Sequence, residues 1–208
     1  MKKANSTIEA RKQREKEDMR TLILDAARSI FLEKGYDQSS LCNIDERIQY
    51  SPGTIYLYFK DKDEIFFALH EEGFKRMLGK MQPLMHVADP FERLKALGLV
   101  YVEFASENKD FYDLMFIIHS PAHADVDEEK WAMGTRTLDF LKSVIRECQA
   151  QGRFAGRDVD SLSFTIWSVV HGMSALYCRD RCTPYKSLDP KKLMEDGYAN
   201  FVAMLEKL

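Results

Sequence analysis

The spacing of the prolines is the feature that most constrains the fold of this chain. Proline breaks a helix interior but is tolerated in a first turn, so prolines mark places where helices begin and end. The six prolines leave segments of helix length between them, at positions 52, 83, 90, 121, 184 and 190. No segment alternates apolar and polar residues with period two, the pattern of a half-buried strand. The sequence therefore predicts an all-α protein.

Apolar residues recur at steps of three and four within most of these segments, which predicts helices with one buried face. The first strong pattern runs from about Asp18 to Glu33 and is closed by Gly35, a residue type common just after a helix. Its apolar stripe consists of Leu22, Ile23, Ala26, Ala27, Ile30 and Phe31. Ser39 and Ser40 are suitable caps for the next helix. The predicted helices cover approximately residues 18–33, 41–48, 51–58, 62–81, 91–105, 111–118, 128–151, 159–179 and 190–208.

The charge balance excludes a generally basic nucleic-acid coat protein. The 208 residues hold 30 Lys and Arg against 33 Asp and Glu, whereas coat proteins neutralise phosphates with an excess of basic groups. Met1 to Arg20 lacks the apolar run of a secretory signal, so we expect a cytoplasmic protein. Ser161 to Cys178 is uncharged and near the length of a membrane span, but its serines, Thr165 and His171 favour a buried helix.

Two short predicted helices joined by a tight turn form a helix-turn-helix pattern, whose second helix is shaped to enter the major groove of DNA. The second helix begins with the segment Ser-Pro-Gly-Thr. Gly53 permits close approach of the backbone to a partner, and Thr54 offers a hydroxyl and a methyl group that suit a phosphate or a base edge. Tyr56 and Tyr58 carry hydroxyls that can bind phosphates, whereas Ile55 and Phe59 are expected in the core.

The same segment resembles the DNA-binding domain of the TetR (tetracycline-repressor-like) family of transcriptional regulators. The resemblance covers residues 22–69, and its most specific part is Ser51-Pro-Gly-Thr-Ile-Tyr-Leu-Tyr-Phe59 with Lys62 after it. Gly35-Tyr36, Ser39-Ser40 and Ile44 match as well. The resemblance implies that the residues touching DNA are Ser40, Pro52, Gly53, Thr54, Tyr56, Tyr58 and Lys62. For each of these residues a purely structural role is the alternative.

The chain departs from the family pattern just before the second helix of this motif. The family has Ala-x-x-Ala-Gly-Val there, and this chain has Asp45-Glu-Arg-Ile-Gln-Tyr50. Gln49 replaces a turn glycine, and a left-handed backbone at that position would cost about 1 kcal/mol. Asp45 and Glu46 add negative charge near the predicted DNA surface. Residues 1–20 counter this with seven Lys or Arg against four Asp or Glu, either as a DNA-contacting arm or as a solvated helix extension.

The two long helices predicted after residue 127 carry apolar residues on more than one face, so they are buried on more than one face. Trp167, His171 and Gly172 are similar to a C-terminal subfamily of TetR-like regulators. That resemblance implies a homodimer in which the two helices pair with their copies; the alternative is a deep core within one chain. The predicted interface residues are Leu138, Leu141, Ile145, Ile166, Val169 and Met173. His171 is expected to be packed or hydrogen-bonded within the chain.

The resemblance also implies an effector cavity in the C-terminal half. Methionine and aromatic residues are frequent there, and unbranched, polarizable methionine lines adaptable apolar sites. The candidate effector-binding residues are Phe74, Met77, Met81, Tyr101, Phe104, Tyr112, Met115, Trp131 and Met173. The alternative for each of them is ordinary helical core.

Motifs of enzymes and metal sites are weak in this sequence. His70-Glu71-Glu72 begins like a zinc-protease motif but lacks the second histidine, and no Gly-rich nucleotide fingerprint is present. The only candidate for a metal is a polar loop, with His119, His123, Asp125 and Asp127. The cysteines form no CxxC pair and are expected to be reduced thiols in the core. We therefore expect no metal and no cofactor.

These observations lead to one hypothesis and two alternatives. The hypothesis is an all-α homodimeric transcriptional regulator, a repressor that a small apolar or aromatic effector releases from a pseudo-palindromic operator in double-stranded DNA. Its predicted parts are a basic N-terminal extension (1–20), a helix-turn-helix domain (21–66) and a helical effector-binding and dimerisation domain (67–208). The alternatives are a helical ligand-binding dimer that does not read DNA sequence, and an enzyme on a helical scaffold. No membrane partner is expected.

Overall fold

The computed structural model describes residues 2–119 and 131–208, and the regular secondary structure in these ranges is helical, as predicted. A 3₁₀ segment, Gln82–His86, follows the fourth helix. The helices are α1 (Lys2–Lys34), α2 (Leu41–Ile48), α3 (Pro52–Ile55), α4 (Lys62–Met81), α5 (Pro90–Glu107), α6 (Lys109–Phe116), α7 (Ala132–Ala150), α8 (Val159–Cys178) and α9 (Pro190–Leu205).

Prolines and capping side chains begin several of these helices. Pro52, Pro90 and Pro190 each occupy a first turn, where a proline costs no intrahelical hydrogen bond. The carboxylate of Asp89 accepts hydrogen bonds from the amides of Phe91 and Glu92, 2.8 and 2.9 Å away. These caps supply acceptors for amides that have no partner within the helix. The use of proline as punctuation is confirmed at these three positions.

The first helix is longer than predicted, because it begins at Lys2 and not near Asp18. Residues 2–17 lack the apolar stripe from which that start was predicted. Their helix is built from good helix formers and from pairs one turn apart, such as Arg11 with Glu15 at 2.7 Å. Charged helices of this kind are invisible to a search for apolar periodicity. The 3₁₀ segment after α4 was not predicted either.

Contacts divide the chain into two compact units, and the boundary between them along α4 falls after Glu72. The first unit contains the described residues of Met1–Glu72 and Asp113–Asp127. Within it α1 packs on α2 and α2 on α3. The core residues of α1 to α4 in this unit include Ile23, Ala27, Ile30, Phe31, Ile44, Ile55, Phe59, Ile65 and Phe66. The predicted domain boundary after residue 66 also falls within α4.

The second unit contains Gly73–Tyr112 and the described residues of Glu128–Leu208. In it α5 packs against α7 and α8, and α8 also packs against α7 and α9. Gly98 on α5 allows a close approach of α9, because a side-chain carbon there would meet the ring of Tyr198. The hydroxyl of Tyr198 donates to the carbonyl of Lys95, and burial raises the pKa of this hydroxyl to about 12. These contacts tie the last helix to the centre of the unit.

Candidate nucleic-acid interface and ligand groove

A capped helix and a tight turn position the predicted recognition segment. Ser40 caps α2, with its hydroxyl accepting from the amide of Asn43 at 3.3 Å and its own amide donating to the Asn43 side chain at 3.2 Å. At the other end of α2, Gln49 adopts the left-handed conformation, with φ 58° and ψ 37°. The chain then reverses into α3, whose first residue is Pro52. The turn that the family makes with glycine is therefore made here by glutamine.

Side chains from α3 and the turn after it form an exposed surface, which we call the recognition surface and define as Gly53, Thr54, Tyr56 and Leu57. Tyr56 is 62% exposed and Leu57 is 77% exposed, while Thr54 is half-buried. A side-chain carbon added at Gly53 would meet no atom within 4 Å. Packing within the chain therefore does not require glycine there, and the position leaves room for a partner. Leu57 was not among the predicted site residues.

The buried side of the same segment holds this surface in place. Ile55 is fully buried and Phe59 is 2% exposed, as predicted for core residues. The hydroxyls of Ser51 and Thr54 lie 3.1 Å apart, which orients the Thr54 side chain at the start of the segment. Tyr58 is half-buried, so it presents less surface than Tyr56 does.

Lys62 at the start of α4 contacts the turn between α1 and α2. Its ammonium group donates to the carbonyls of Tyr36 and Ser39, at 2.8 and 2.9 Å, and lies 4.0 Å from the centre of the Tyr36 ring. The Tyr36 hydroxyl in turn donates to Asp63, and burial together with that carboxylate raises the pKa of Tyr36 above its usual range. Three donor–acceptor contacts thus join the start of α4 to the segment that precedes α2. Lys62 has an internal role here that its match to a DNA-contacting position did not predict.

The charged residues of α2 add little free positive charge near the recognition surface. Arg47 on α2 donates to both carboxylate oxygens of Glu33 on α1, at 3.0 and 2.7 Å. Asp45 is 4% exposed, and its Oδ1 has no hydrogen-bond partner in the described residues. Burial raises the pKa of Asp45. The recognition surface therefore cannot bind phosphates through a strong local excess of positive charge.

The second unit contains a hydrogen-bonded cluster of Tyr101, Tyr112, Trp167 and His171. The indole of Trp167 donates to the Tyr101 hydroxyl at 3.3 Å, and that hydroxyl lies 3.0 Å from Nδ1 of His171. Tyr112 donates to the carbonyl of His171 at 3.1 Å. Burial lowers the pKa of His171, which favours a neutral ring that can accept at Nδ1. The prediction that His171 is hydrogen-bonded within the chain is confirmed, and two of the predicted effector residues belong to its cluster.

An open groove of about 360 Å³ lies on the second unit between the end of α4 and α7. Its volume falls in the usual range of small-molecule sites. Lys75 and Gln82 are its polar lining residues, and a side-chain carbon added at Gly79 would project into open space. The groove is lined by Lys75, Leu78, Gly79, Gln82, Met85, Met133 and Phe140.

The predicted effector residues do not line this groove. Most of them are buried against other residues of the chain, namely Phe74, Met77, Met81, Tyr101, Phe104, Tyr112 and Met115. Trp131 and Met173 are half-buried. On α4 the reason is helical geometry, because Phe74, Met77 and Met81 share the packed face while Lys75, Leu78 and Gln82 lie beside it. Met115 belongs to the first unit.

The predicted dimer residues divide into two groups. Ile145 is fully buried and Ile166 is 4% exposed within this chain, so they have little surface left for a second copy. The other four, Leu138, Leu141, Val169 and Met173, are half-buried. The exposed apolar residues on α8 are Phe164 and Leu176, with the exposed Ser168 between them. Phe164 and Leu176 are therefore more exposed than the six predicted interface residues, and neither is among those six.

The remaining predictions concern metals, membranes and cysteines. No group of metal-binding side chains occurs in the described ranges, and of the predicted loop cluster only His119 falls within them. Burial lowers the pKa of His70 to about 4, so its ring is neutral. None of the helices in the described ranges combines the length and apolarity that a bilayer crossing needs. All four cysteines are free thiols, but Cys42 is exposed, which corrects its prediction as a core residue.

Two family models match this chain in the regions just described. Residues 23–69 match the model of bacterial regulatory proteins of the tetR family, and residues 94–201 match the tetracyclin repressor-like C-terminal domain. The chain belongs to the TetR family. The first match covers α2, the turn at Gln49 and the recognition surface, and the second covers the Tyr101–His171 cluster.

Relatives within the TetR family differ in how much of this chain they match. The uncharacterized regulator YhgD of Bacillus subtilis is 32% identical over 150 residues, which are 72% of this chain and 78% of that protein. The repressor Rv1474c of Mycobacterium tuberculosis is 37% identical over 84 residues, 36% of this chain and 45% of its own length. The chain thus spans less than half of the second relative.

Solved TetR structures share the fold of this chain. FadR from Bacillus subtilis, solved in complex with stearoyl-CoA, superposes with a TM-score of 0.72 at 20% identity, over 88% of this chain and 97% of its own. AibR, solved in complex with isovaleryl coenzyme A and operator DNA, superposes with a TM-score of 0.69 at 19% identity, over 89% and 96% of the two chains. At these identities the likeness establishes the fold alone.

Proposed function

We propose that this TetR-family chain is a homodimeric transcriptional repressor that binds a pseudo-palindromic operator and leaves it when an effector with an apolar chain binds. The observation that carries the proposal is the recognition surface, in which Thr54, Tyr56 and Leu57 are accessible beside an unfilled space at Gly53. Large side chains left exposed on a rigid, buried support are typical of a surface that binds a partner. In a dimer, two such surfaces would meet major grooves about 34 Å apart.

The test of DNA binding uses a duplex selected by the protein from a random library. Tyr56→Ala removes the accessible phenol, and we expect the affinity for that duplex to fall at least about tenfold, the usual effect of removing one good hydrogen bond to DNA. Tyr185→Ala is the matched control, because Tyr185 is similarly exposed, at 57%, in the loop before α9. Selection of no duplex by the wild type, or equal binding by both variants, would refute the proposed site.

The proposed dimer interface is the exposed face of α8. Phe164 is 66% exposed and Leu176 is 54% exposed on the most apolar of the long helices, and the small side chain of Ser168 between them allows close helix contact. Exposed apolar residues of this size on one face favour a second copy of the chain. Phe164→Asp should therefore produce monomers in sedimentation experiments. Leu57→Asp, in the recognition surface, should leave the dimer intact.

The proposed effector is an acyl thioester of coenzyme A. The ligands solved with FadR and AibR share that chemistry, and the groove of this chain combines apolar Leu78, Met85, Met133 and Phe140 with the positive charge of Lys75. An apolar groove with few polar groups suits an acyl chain that carries an anionic head. Effector binding would favour a dimer conformation with a lower affinity for the operator, which releases the DNA.

The groove can be filled from Gly79 without disturbing the core. The first side-chain carbon added at this helical position meets no atom within 4 Å, so we expect Gly79→Leu to fold and occupy the groove, whereas Gly79→Ala adds only that one carbon. Stearoyl-CoA and isovaleryl-CoA should release DNA from the wild type and from Gly79→Ala, and coenzyme A alone should not. Gly79→Leu should bind DNA normally and resist release. If the acyl-CoA compounds released DNA from Gly79→Leu as readily as from the wild type, the effector site would lie outside this groove.

A further inference from the structure

The N-terminal part of α1 carries a line of basic residues, here called the basic stripe and defined as Lys12, Lys16 and Arg20. These residues are spaced by four, so they share one side of the helix. The steps continue through Ile23, Ala27 and Ile30, which are buried in the core of the first unit. The stripe therefore extends the side of α1 that is buried in the core of the first unit. All three basic residues are exposed.

Acidic residues of the same segment lie mostly off this side of the helix. Glu15 pairs with Arg11 at 2.7 Å, and Glu17 accepts from Gln13 at 2.8 Å. Glu9 is the acidic residue that shares the side of the stripe, three positions before Lys12. No carboxylate pairs with Lys12, Lys16 or Arg20 in the part of the chain that the structure describes. Their charge is therefore available to a partner.

The C-terminal end of the stripe reaches the recognition segment. The guanidinium of Arg20 lies 5.1 Å from the centre of the Phe59 ring, and the amide of Phe59 bonds the carbonyl of Ile55 in α3 at 2.9 Å. Two of the basic groups nearer the recognition surface are engaged, Arg47 by Glu33 and Lys62 by two carbonyls, and Lys60 is a single exposed lysine there. DNA binding needs cations for phosphates, and the stripe is the adjacent place where a row of them is accessible.

We propose that the basic stripe is a second DNA contact, which lies along the phosphate backbone flanking each half of the operator. This inference rests on the proposed function, because a stripe beside a surface that does not bind DNA would have no such partner. The occupant is the sugar-phosphate backbone, since a row of long basic side chains on one side of a helix matches a row of phosphates. In a helix-turn-helix protein the base edges are met by the second helix of the motif, which here carries the recognition surface. The stripe therefore contributes affinity and salt dependence, and the recognition surface contributes sequence preference.

The experiment compares two double variants on the duplex selected by the wild type. Lys12→Gln with Lys16→Gln removes two charges from the stripe, and Arg11→Gln with Arg14→Gln removes two from the opposite side of the same helix. We expect the stripe variant to bind the duplex about tenfold more weakly than the wild type. Its affinity should also depend less on salt: the slope of log affinity against log salt concentration should be shallower by about 0.9 for each phosphate that the variant no longer neutralises. The opposite-side variant should match the wild type, and circular dichroism checks that both remain helical.

Shortening the duplex provides a second readout. Removal of base pairs outside the two half-sites should weaken the wild type and the opposite-side variant, and should leave the stripe variant unaffected. Equal salt slopes for the two double variants, or an equal effect of shortening on both, would overturn the inference. If Thr54→Ala still abolished DNA binding in that case, the proposed function would stand without the stripe. A wild type that selects no duplex would instead refute the proposed function.

Discussion

Lys62 and Tyr36 form a paired contact in which one ammonium group binds both the carbonyl and the ring of the same residue. The Lys62 ammonium donates to the Tyr36 carbonyl at 2.8 Å and lies 4.0 Å from the centre of the Tyr36 ring. The contact fixes the start of α4 against the turn that precedes α2. A lysine in a DNA-contacting position of the family thus has a positioning role in this chain.

Replacing Lys62 tests that role directly. Lys62→Met removes two charge-assisted hydrogen bonds and a cation–π contact, so we expect the free energy of unfolding to fall by about 1–3 kcal/mol. Operator affinity should fall because the recognition segment is less well held, while the salt slope should be unchanged. Lys60→Met, at an exposed lysine two residues earlier, is the control for stability. A shallower salt dependence of DNA affinity for Lys62→Met than for the wild type would instead show that Lys62 binds a phosphate.

Asp45 should destabilise the helix-turn-helix at neutral pH. Its carboxylate is buried and Oδ1 has no partner in the described residues, so Asp45→Ala should raise the free energy of unfolding by about 1–2 kcal/mol. The exposed Glu46 is the control, and Glu46→Gln should change stability little. Urea unfolding at pH 7 measures both. A less stable Asp45→Ala would mean that the carboxylate has a favourable partner.

The same residue predicts a pH dependence with a definite sign. Burial raises the pKa of Asp45 in the folded state, so the folded protein binds more protons than the unfolded chain between the unfolded and folded pKa values. The contribution of Asp45 to stability is therefore greatest below the unfolded pKa and is lost as the pH rises through the folded value. The stability advantage of Asp45→Asn over the wild type should grow with pH across that window. An advantage independent of pH would contradict the raised pKa.

Gln49 is expected to store backbone strain in the turn before α3. Its φ of 58° lies in the left-handed region, where a side-chain carbon is disfavoured. Gln49→Gly should stabilise the protein by about 0.5–1 kcal/mol. Gln49→Ala keeps the side-chain carbon and should give no such gain, which separates backbone relief from loss of the amide. Thermal unfolding of the two variants decides between these effects.

Two glycines within helices should respond to alanine in opposite directions. Gly98→Ala would place a carbon against the Tyr198 ring, so we expect destabilisation by about 1–3 kcal/mol. Gly79→Ala meets open space and should stabilise the helix by up to about 1 kcal/mol. Tyr198→Ala should reduce the cost of Gly98→Ala in a double-mutant cycle, because it removes the group that clashes. An additive cycle would exclude that contact as the cause.

The sequence predicted the helical framework because its signals are local. Proline positions and apolar steps identified the helices beyond Asp18, and the steps placed Ile23, Ile30 and Phe31 in the core, where they lie. The charged start of α1 was missed because its stability comes from ion pairs one turn apart and from helix propensity. Such pairs leave no apolar signature.

The site was predictable only in part, because apolar residues do not reveal what covers them. Phe74 and Met81, which were predicted to meet an effector, are buried within the chain, while Leu78 and Phe140, which were not among the candidates, line the groove. The candidates were selected because methionine and aromatic residues are frequent in that half, and such residues pack a helical core as well as they line a cavity. The internal role of Lys62 depends on carbonyls 23 and 26 residues away, which no local pattern encodes.

The continuity of α1 from Lys2 to Lys34 determines what kind of arm the basic stripe can be. A disordered arm loses about 1–2 kcal/mol of backbone entropy for each residue that becomes ordered on binding, whereas an arm that is already helical loses far less. At 1.5 Å per residue, the stripe spans about 12 Å of rigid length. The stretch of flanking DNA that the stripe contacts should therefore end at a fixed distance from the half-site, which the length of the helix determines.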